Sequence, residues 1–208
     1  YAQRLLHVPV QENPAYGYWM LNFSGGYPDI PVVSRGKGLN YGLDMAVEKG
    51  FSNSWFFLVN GSLLSARFEL LDGSVRPSAF DTRFSSAATL VKEFALRRGD
   101  IFQVSGRFLY SGGFRYTPHD PVASAAAGQY VPLFSKIYAG QTPAFKRLDV
   151  RLAWRYNRKR VSGSISVDIQ NALNQPYATR TAYDPVHNRT YLEYRGELVP
   201  LLAFQADF

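Results

Sequence analysis

Arg147, Asp149, Arg151 and Arg155 recur at odd positions of one segment, and Asp168 stands among alternating serines in the next. Charges at that spacing share one face of an extended strand. There they can lock into an ion-pair network or draw an anionic ligand, such as a metal chelate, along the face. A second grouping lies in Gly112–Lys146, which carries Phe114, Arg115, Tyr116, His119, Tyr130, Phe134 and Tyr138. Aromatic and basic side chains in one long connection suit capture of an aromatic, anionic or sugar-like small molecule. The same residues can equally serve packing between connections.

Other chemistry finds little footing. His7, His119 and His187 are the only histidines, none at metal-ligand spacing, and adjacent residues such as His119 and Asp120 point apart in extended chain. There is no Gly-x-Ser-x-Gly elbow and no phosphate-cradling glycine loop. Zero cysteines remove thiol nucleophiles, disulfides and Cys-ligated metals together. No enzyme, cofactor or bound metal is expected. The net charge of +7 is scattered, and its one dense run, Arg158-Lys159-Arg160, reads as a solvated turn, so no nucleic-acid partner is expected.

These residues are positioned by strands. In Arg147–Tyr156 every even position is apolar and every odd one polar or small, which a helical period would scramble. Val161–Gln170, Leu39–Glu48, Phe102–Tyr110 and Pro200–Phe208 repeat the alternation, and Trp55–Phe68 and Thr82–Phe94 carry it less cleanly. About seven strands result. Short turns fall at Gly50–Ser54, Arg97–Asp100 and Asn157–Arg160, whereas Leu70–Asp81, Gly112–Lys146 and Ala172–Leu198 are long. Residues 1–35 read as loop with at most a short strand at Tyr16–Phe23, and Pro118–Gly128 as a loop with room for a helical turn. Although 46% of the 208 residues are hydrophobic, no run approaches the roughly 18 needed for a membrane helix.

Short turns on one side and long loops on the other describe an antiparallel transmembrane β-barrel. Trp55, Phe57, Phe94, Phe102, Trp154 and Tyr156 gather toward the short turns, as an interfacial girdle would. A soluble β-sandwich would show the same alternation, so that reading stays open.

Gly38–Asp44, Arg115-Tyr116-Thr117-Pro118, Arg147-Leu148-Asp149, Asp168–Asn174 and the closing Pro200…Phe208, taken in order, resemble the C-terminal barrel of TonB-dependent outer-membrane receptors. The similarity is greatest to receptors of Bacteroidetes-type bacteria with an N-terminal carboxypeptidase-regulatory-like domain. The resemblance implies an all-β segment of about seven strands from a 22-strand barrel. Residues 1–35 would then be mostly extracellular loop, the long connections extracellular and the short turns periplasmic. It also implies active uptake of a scarce nutrient, a siderophore-iron or similar chelate foremost. The implied partners are outer-membrane lipid, the rest of the barrel, a plug domain, the TonB complex reached through that plug, and the barrel-assembly machinery. Leu202, Phe204 and Phe208 would form the assembly signal, and the charge ladder would face the plug. A chain opening on Tyr1 with no plug-like sequence reads as the last third of such a barrel. A passive porin, a small structural barrel and a secreted β-sandwich binding module are the alternatives.

Overall fold

The computed structural model describes residues 1–22 and 30–207. In chain order the strands are β1 (Ala2–Gln11), β2 (Val32–Ser52), β3 (Trp55–Glu69), β4 (Val75–Pro77), β5 (Phe84–Ala95), β6 (Ile101–Ser111) and β7 (Arg115–Tyr116). After the short helix α1 (Pro121–Ala127) come β8 (Gly140–Gln141), β9 (Phe145–Asn157), β10 (Ser162–Gln170), β11 (Tyr177–Asp184), β12 (Arg189–Arg195) and β13 (Val199–Asp207). The main sheet runs β1-β2-β3-β5-β6-β9-β10-β13, with β4 added to β3, and every ladder is antiparallel. The protein is therefore all-β. Among the described residues the strand path is open, ending at β1 on one side and β13 on the other.

Turn chemistry matches the short connections. Asn53 and Ser54 close β2 onto β3 with φ of 50° and 65°, the double-positive geometry whose twist suits a two-residue hairpin. Arg98, also at positive φ, closes β5 onto β6. At the next turn Arg158 crosses to the carboxylate of Asp100, tying two neighbouring turns together.

Register then sorts the side chains. Residues directly opposite in a ladder share a face, so one lateral row can be followed across the sheet. Phe94 lies opposite Phe102, Phe102 opposite Trp154, Trp154 opposite Ile165 and Ile165 opposite Phe204. A parallel row runs Lys92, Val104, Leu152, Val167, Leu202. The apolar halves of these strands therefore form one continuous face, and the polar halves form the other.

Among the described residues one modest core is built on the polar side, at the end with the long connections. Val8, Val10, Trp19, Phe68, Leu70 and Ile137 are buried together, with Tyr138 packed alongside. The Trp19 indole stacks on Phe68 at 4.8 Å between ring centroids, and it lies directly over the backbone of Gly36 and Gly38. A Cβ on Gly38 would meet the Trp19 ring at 2.9 Å.

Two sequence expectations are corrected here. Within residues 1–35, where loop with at most a short strand at Tyr16–Phe23 is expected, a long strand stands elsewhere. Ala2–Gln11 is a full strand on β2, while 14–16 and 20–22 are short 3-10 turns. Its alternation was hidden because His7, at φ 57°, interrupts the register between Leu5 and Val8, and because Pro9 is tolerated on a strand at the end of the path. The eighth long strand is thus Ala2–Gln11 rather than Tyr16–Phe23, of which Phe23 lies outside the described residues. Ala172–Leu198 is likewise not simply a loop, since β11 and β12 pair within it. The helical turn allowed for in Pro118–Gly128 is α1, started by the Asp120 carboxylate, which accepts from the backbone N–H groups of Val122 and Ala123.

Gly38→Ala should lower unfolding free energy by about 1–3 kcal/mol through overpacking against Trp19. Gly50→Ala, where a Cβ meets no atom, should shift it by less than about 0.5 kcal/mol. Denaturant unfolding followed by tryptophan fluorescence compares the two.

Candidate functional site

The charge ladder is real as a juxtaposition. Arg107, Arg147, Asp149, Arg151 and Asp168 line a cleft of about 380 Å³ on the polar face. Arg147 donates to both oxygens of Asp149, from Nε at 2.8 and 3.0 Å and from its terminal nitrogen at 2.7 Å. Asp149 also accepts from the Asn171 backbone N–H at 2.9 Å, which fixes the turn following β10 to the start of β9. Arg151 and Asp168, opposite one another in the β9–β10 ladder, approach to 3.5 Å. Arg155 pairs instead with Glu93, two strands away across β6. Glu93 and Arg107 were missed by sequence reasoning. Both occupy polar-face positions of their strands, but only the register β5–β6–β9 brings them to the ladder.

Four guanidinium groups on this face are thus met by three carboxylates, and three of the four are paired. An ion-pair network describes the ladder better than a free anion track. Gln103 joins it, donating to Glu93 at 3.0 Å.

The long connections interlock at the other candidate site. Arg115 does not join the remaining ligand-loop candidates. It turns to Asp81, at 2.7 Å, with both side chains buried, and its Nε donates to the Asp81 carbonyl at 3.1 Å. The second Asp81 oxygen accepts from the backbone N–H of Ala66 on β3. Asn22 holds the same connection from the other side, its side-chain Oδ1 accepting from Ser78 Oγ and the Ala79 N–H. His119 reaches the β11–β12 hairpin, with Nδ1 at 2.7 Å from Thr190 Oγ1 and Nε2 at 3.2 Å from the Asn188 carbonyl. Asn188 in turn donates to the Pro121 carbonyl at 2.9 Å.

Phe114 lies beside this region without a ring partner among those described, while the Tyr116 ring covers Gly140 in the β7–β8 pair. Tyr130 donates to the Thr117 carbonyl at 2.8 Å and keeps much of its ring exposed. Burial raises the Tyr138 hydroxyl above the usual phenol range. The candidates therefore divide. Arg115 and His119 are committed to holding loops, whereas Tyr130 still presents a surface. Asn171 is the structural residue that sequence reasoning valued only as part of a motif. Buried at the hairpin base, it donates to the Gln175 and Gly196 carbonyls and accepts from the Gln175 N–H.

The apolar face is the largest feature. Met45, Leu90, Trp154, Leu202 and Phe204 all lie uncovered, Leu202 at 77% and Phe204 at 69% exposure. The chain exposes 13358 Å², against about 9,700 Å² for a compact monomer of this mass. Aromatic rings bound the face at both ends. Trp55 with Phe57, Phe94 with Phe102 and Trp154 with Tyr156 pack at the short-turn end, and Phe84 with Tyr110 at the long-connection end. Cations cap them: Lys49 over Trp55, Lys92 over Phe94 and Lys146 over Tyr110, at 4.6, 5.9 and 5.5 Å. Leu202 and Phe204 belong to this face on β13. Phe208 lies outside the described residues.

No family model, curated protein or solved structure matches the chain.

Two predictions follow from these contacts. Arg115→Ala leaves the buried Asp81 carboxylate without its cation and should cost about 3–5 kcal/mol. The double change Asp81→Asn with Arg115→Met should recover most of that loss in the same unfolding experiment. At the short turns, hydrogen bonding from Arg158 holds the Asp100 carboxyl below the usual carboxylate range. Its contribution is therefore present above the unfolded pKa of about 3.9 and is lost as pH falls through the lower folded value. In an NMR pH titration, Arg158→Ala should move the Asp100 midpoint upward.

Proposed function

We propose that the chain forms part of the wall of an outer-membrane β-barrel of the TonB-dependent receptor type, taking up a scarce nutrient, a siderophore-iron or similar chelate foremost. The observation that carries the membrane part is the uncovered apolar face bounded at both ends by aromatic rings and lysines. In a soluble sandwich such a face is covered by a second sheet, and among the described residues no second layer lies on it. In a bilayer, acyl chains cover it, and the rings and lysines sit at the interfaces. The dimensions agree. Phe84 and Phe94 are roughly 34 Å apart along β5 at about 3.4 Å per residue. A tilt near 40° reduces this to about 26 Å, against an apolar band of about 25 Å in such barrels.

The receptor part rests on the ordered motifs named above and on the knitted long connections. A barrel mouth must hold its loops in place to present a ligand surface, and the Asp81–Arg115 pair and the His119 contacts do so. In this reading the paired ladder lines the lumen toward a plug, and transport proper belongs to that plug, driven through TonB. The wall contributes shape, loops and lipid contact. The exposed rings of the Gly112–Lys146 connection, Tyr130 first, are the surface offered to a ligand.

Two measurements test the reading. The purified chain should partition into the detergent phase, and brominated lipid should quench Trp55 and Trp154; partition into buffer with unquenched tryptophans contradicts a barrel. Nutrient accumulation by cells should collapse when a protonophore removes the inner-membrane gradient. Uptake that continues undiminished would favour a passive porin instead.

A further inference from the structure

We propose that Arg4 and Arg67 clamp the phosphate of a membrane-lipid headgroup on the apolar side of β1–β3. The proposal rests on the membrane reading above. Arg4 lies opposite Leu39 in the β1–β2 ladder, and Leu39 lies opposite Arg67 in the β2–β3 ladder. The two arginines therefore flank one leucine on one face, their Cα atoms about 10 Å apart at two strand spacings. Side chains of that length can close on a single group held between them. A cleft of about 250 Å³ occupies the spot, with Leu39 and Val75 among its apolar lining and Arg4, Arg67, Lys37 and Glu69 around it.

The charges are arranged to accept an anion. Glu69 is the carboxylate lining the cleft, and Lys37 Nζ meets it at 3.0 Å. Arg67 has Ser65 Oγ at 3.4 Å from its Nε and no carboxylate, and Arg4 has no ion-pair partner among the described residues. Both are exposed. Cations at the opposite end of the sheet are differently placed. Lys49 donates to the Ser52 and Trp55 carbonyls, Lys92 to the Asn53 carbonyl, and Arg158 is paired with Asp100. Arg97 and Arg98 also stand exposed at a short turn, but neither lines a cleft with an apolar floor as Arg4 and Arg67 do.

Location selects the ligand. Leu39 heads the apolar column Leu39, Tyr41, Leu43, Met45, Val47, so an anion above it sits where a lipid phosphate meets its acyl chains. The guanidinium fork binds phosphate oxygens in pairs, and an apolar floor accommodates the chain beneath. A free phosphate shares the headgroup chemistry but has no use for that floor.

Native mass spectrometry of the full chain in detergent, titrated with phosphatidic acid or phosphatidylcholine, reads the site directly. Arg4→Gln and Arg67→Gln should each weaken phosphatidic acid retention about fivefold, the effect of roughly 1 kcal/mol per basic side chain at an anionic surface. Phosphatidylcholine, whose phosphate carries a single charge offset by its choline, should bind wild type more weakly and lose less in either variant, and Lys92→Gln should bind as wild type. Arg67→Lys, which keeps the charge and loses the fork, should fall between. A double glutamine variant that retains phosphatidic acid like wild type overturns the clamp. So does inorganic phosphate that displaces the lipid at equal concentration, which would assign the site to a free anion. Flotation with phosphatidylcholine vesicles separates the two levels. If wild type fails to float, the membrane reading falls and takes the clamp with it. If wild type and the double variant both float and bind phosphatidic acid alike, the clamp alone falls.

Discussion

Opposite residues in a β-ladder point to the same side of the sheet, so the register of each pairing decides what its neighbours must look like. Here the six successive long-strand ladders from β2 to β13 keep the same phase, while the β1–β2 ladder shifts register at His7. Trp154 sets a row that runs to Phe102 and Phe94 in one direction and to Ile165 and Phe204 in the other. A slip of one residue in any ladder would turn half the rows inside out. Both the exposed apolar face and the ion-paired polar face follow from that shared phase, and each is a consequence of the other.

The two faces differ in what completes them. On the polar side the chain supplies its own partners: Asp149 for Arg147, Asp168 for Arg151, Glu93 for Arg155, and the Trp19–Phe68 stack beneath the loops. Three of the four arginines there are matched with carboxylates, although Arg151 and Arg155 keep about half of their side chains exposed, at 51% and 48%. On the apolar side the chain supplies only edges, in the form of rings and lysines at each end. In the proposed reading lipid provides what the protein leaves out, and Arg4 with Arg67 marks where the acyl region gives way to phosphate.

The sequence carried the regular part of this plainly. Alternation in Arg147–Tyr156 and Val161–Gln170 located β9 and β10 because both strands are pleated without interruption, and the polar positions Arg147, Arg151 and Arg155 fell on one face as their spacing required. Alternation fails wherever the pleat is broken. The bulge at His7 concealed β1, and the β11–β12 hairpin mixes polar and apolar residues on both faces, so Tyr177–Arg195 looked like loop. Partners were harder still. Nothing local connects Glu93 with Arg155 or Arg115 with Asp81. Those pairs depend on strand order and loop return, which residue spacing does not encode. The family resemblance agrees with the structure only in being all-β and antiparallel; the transport reading rests on that resemblance and not on geometry.

The central claim is that one face of this sheet meets lipid and the other does not. Because the chain has no cysteine, single cysteines placed along β9 from residue 148 to 155 and spin-labelled in vesicles give an unobstructed probe. Oxygen, which concentrates in lipid, should broaden labels at 148, 150, 152 and 154, and a water-soluble nickel complex should favour the intervening positions. Apolar-face labels shielded from both probes, as beneath a second protein layer, or broadened mainly by the nickel complex, would contradict the account.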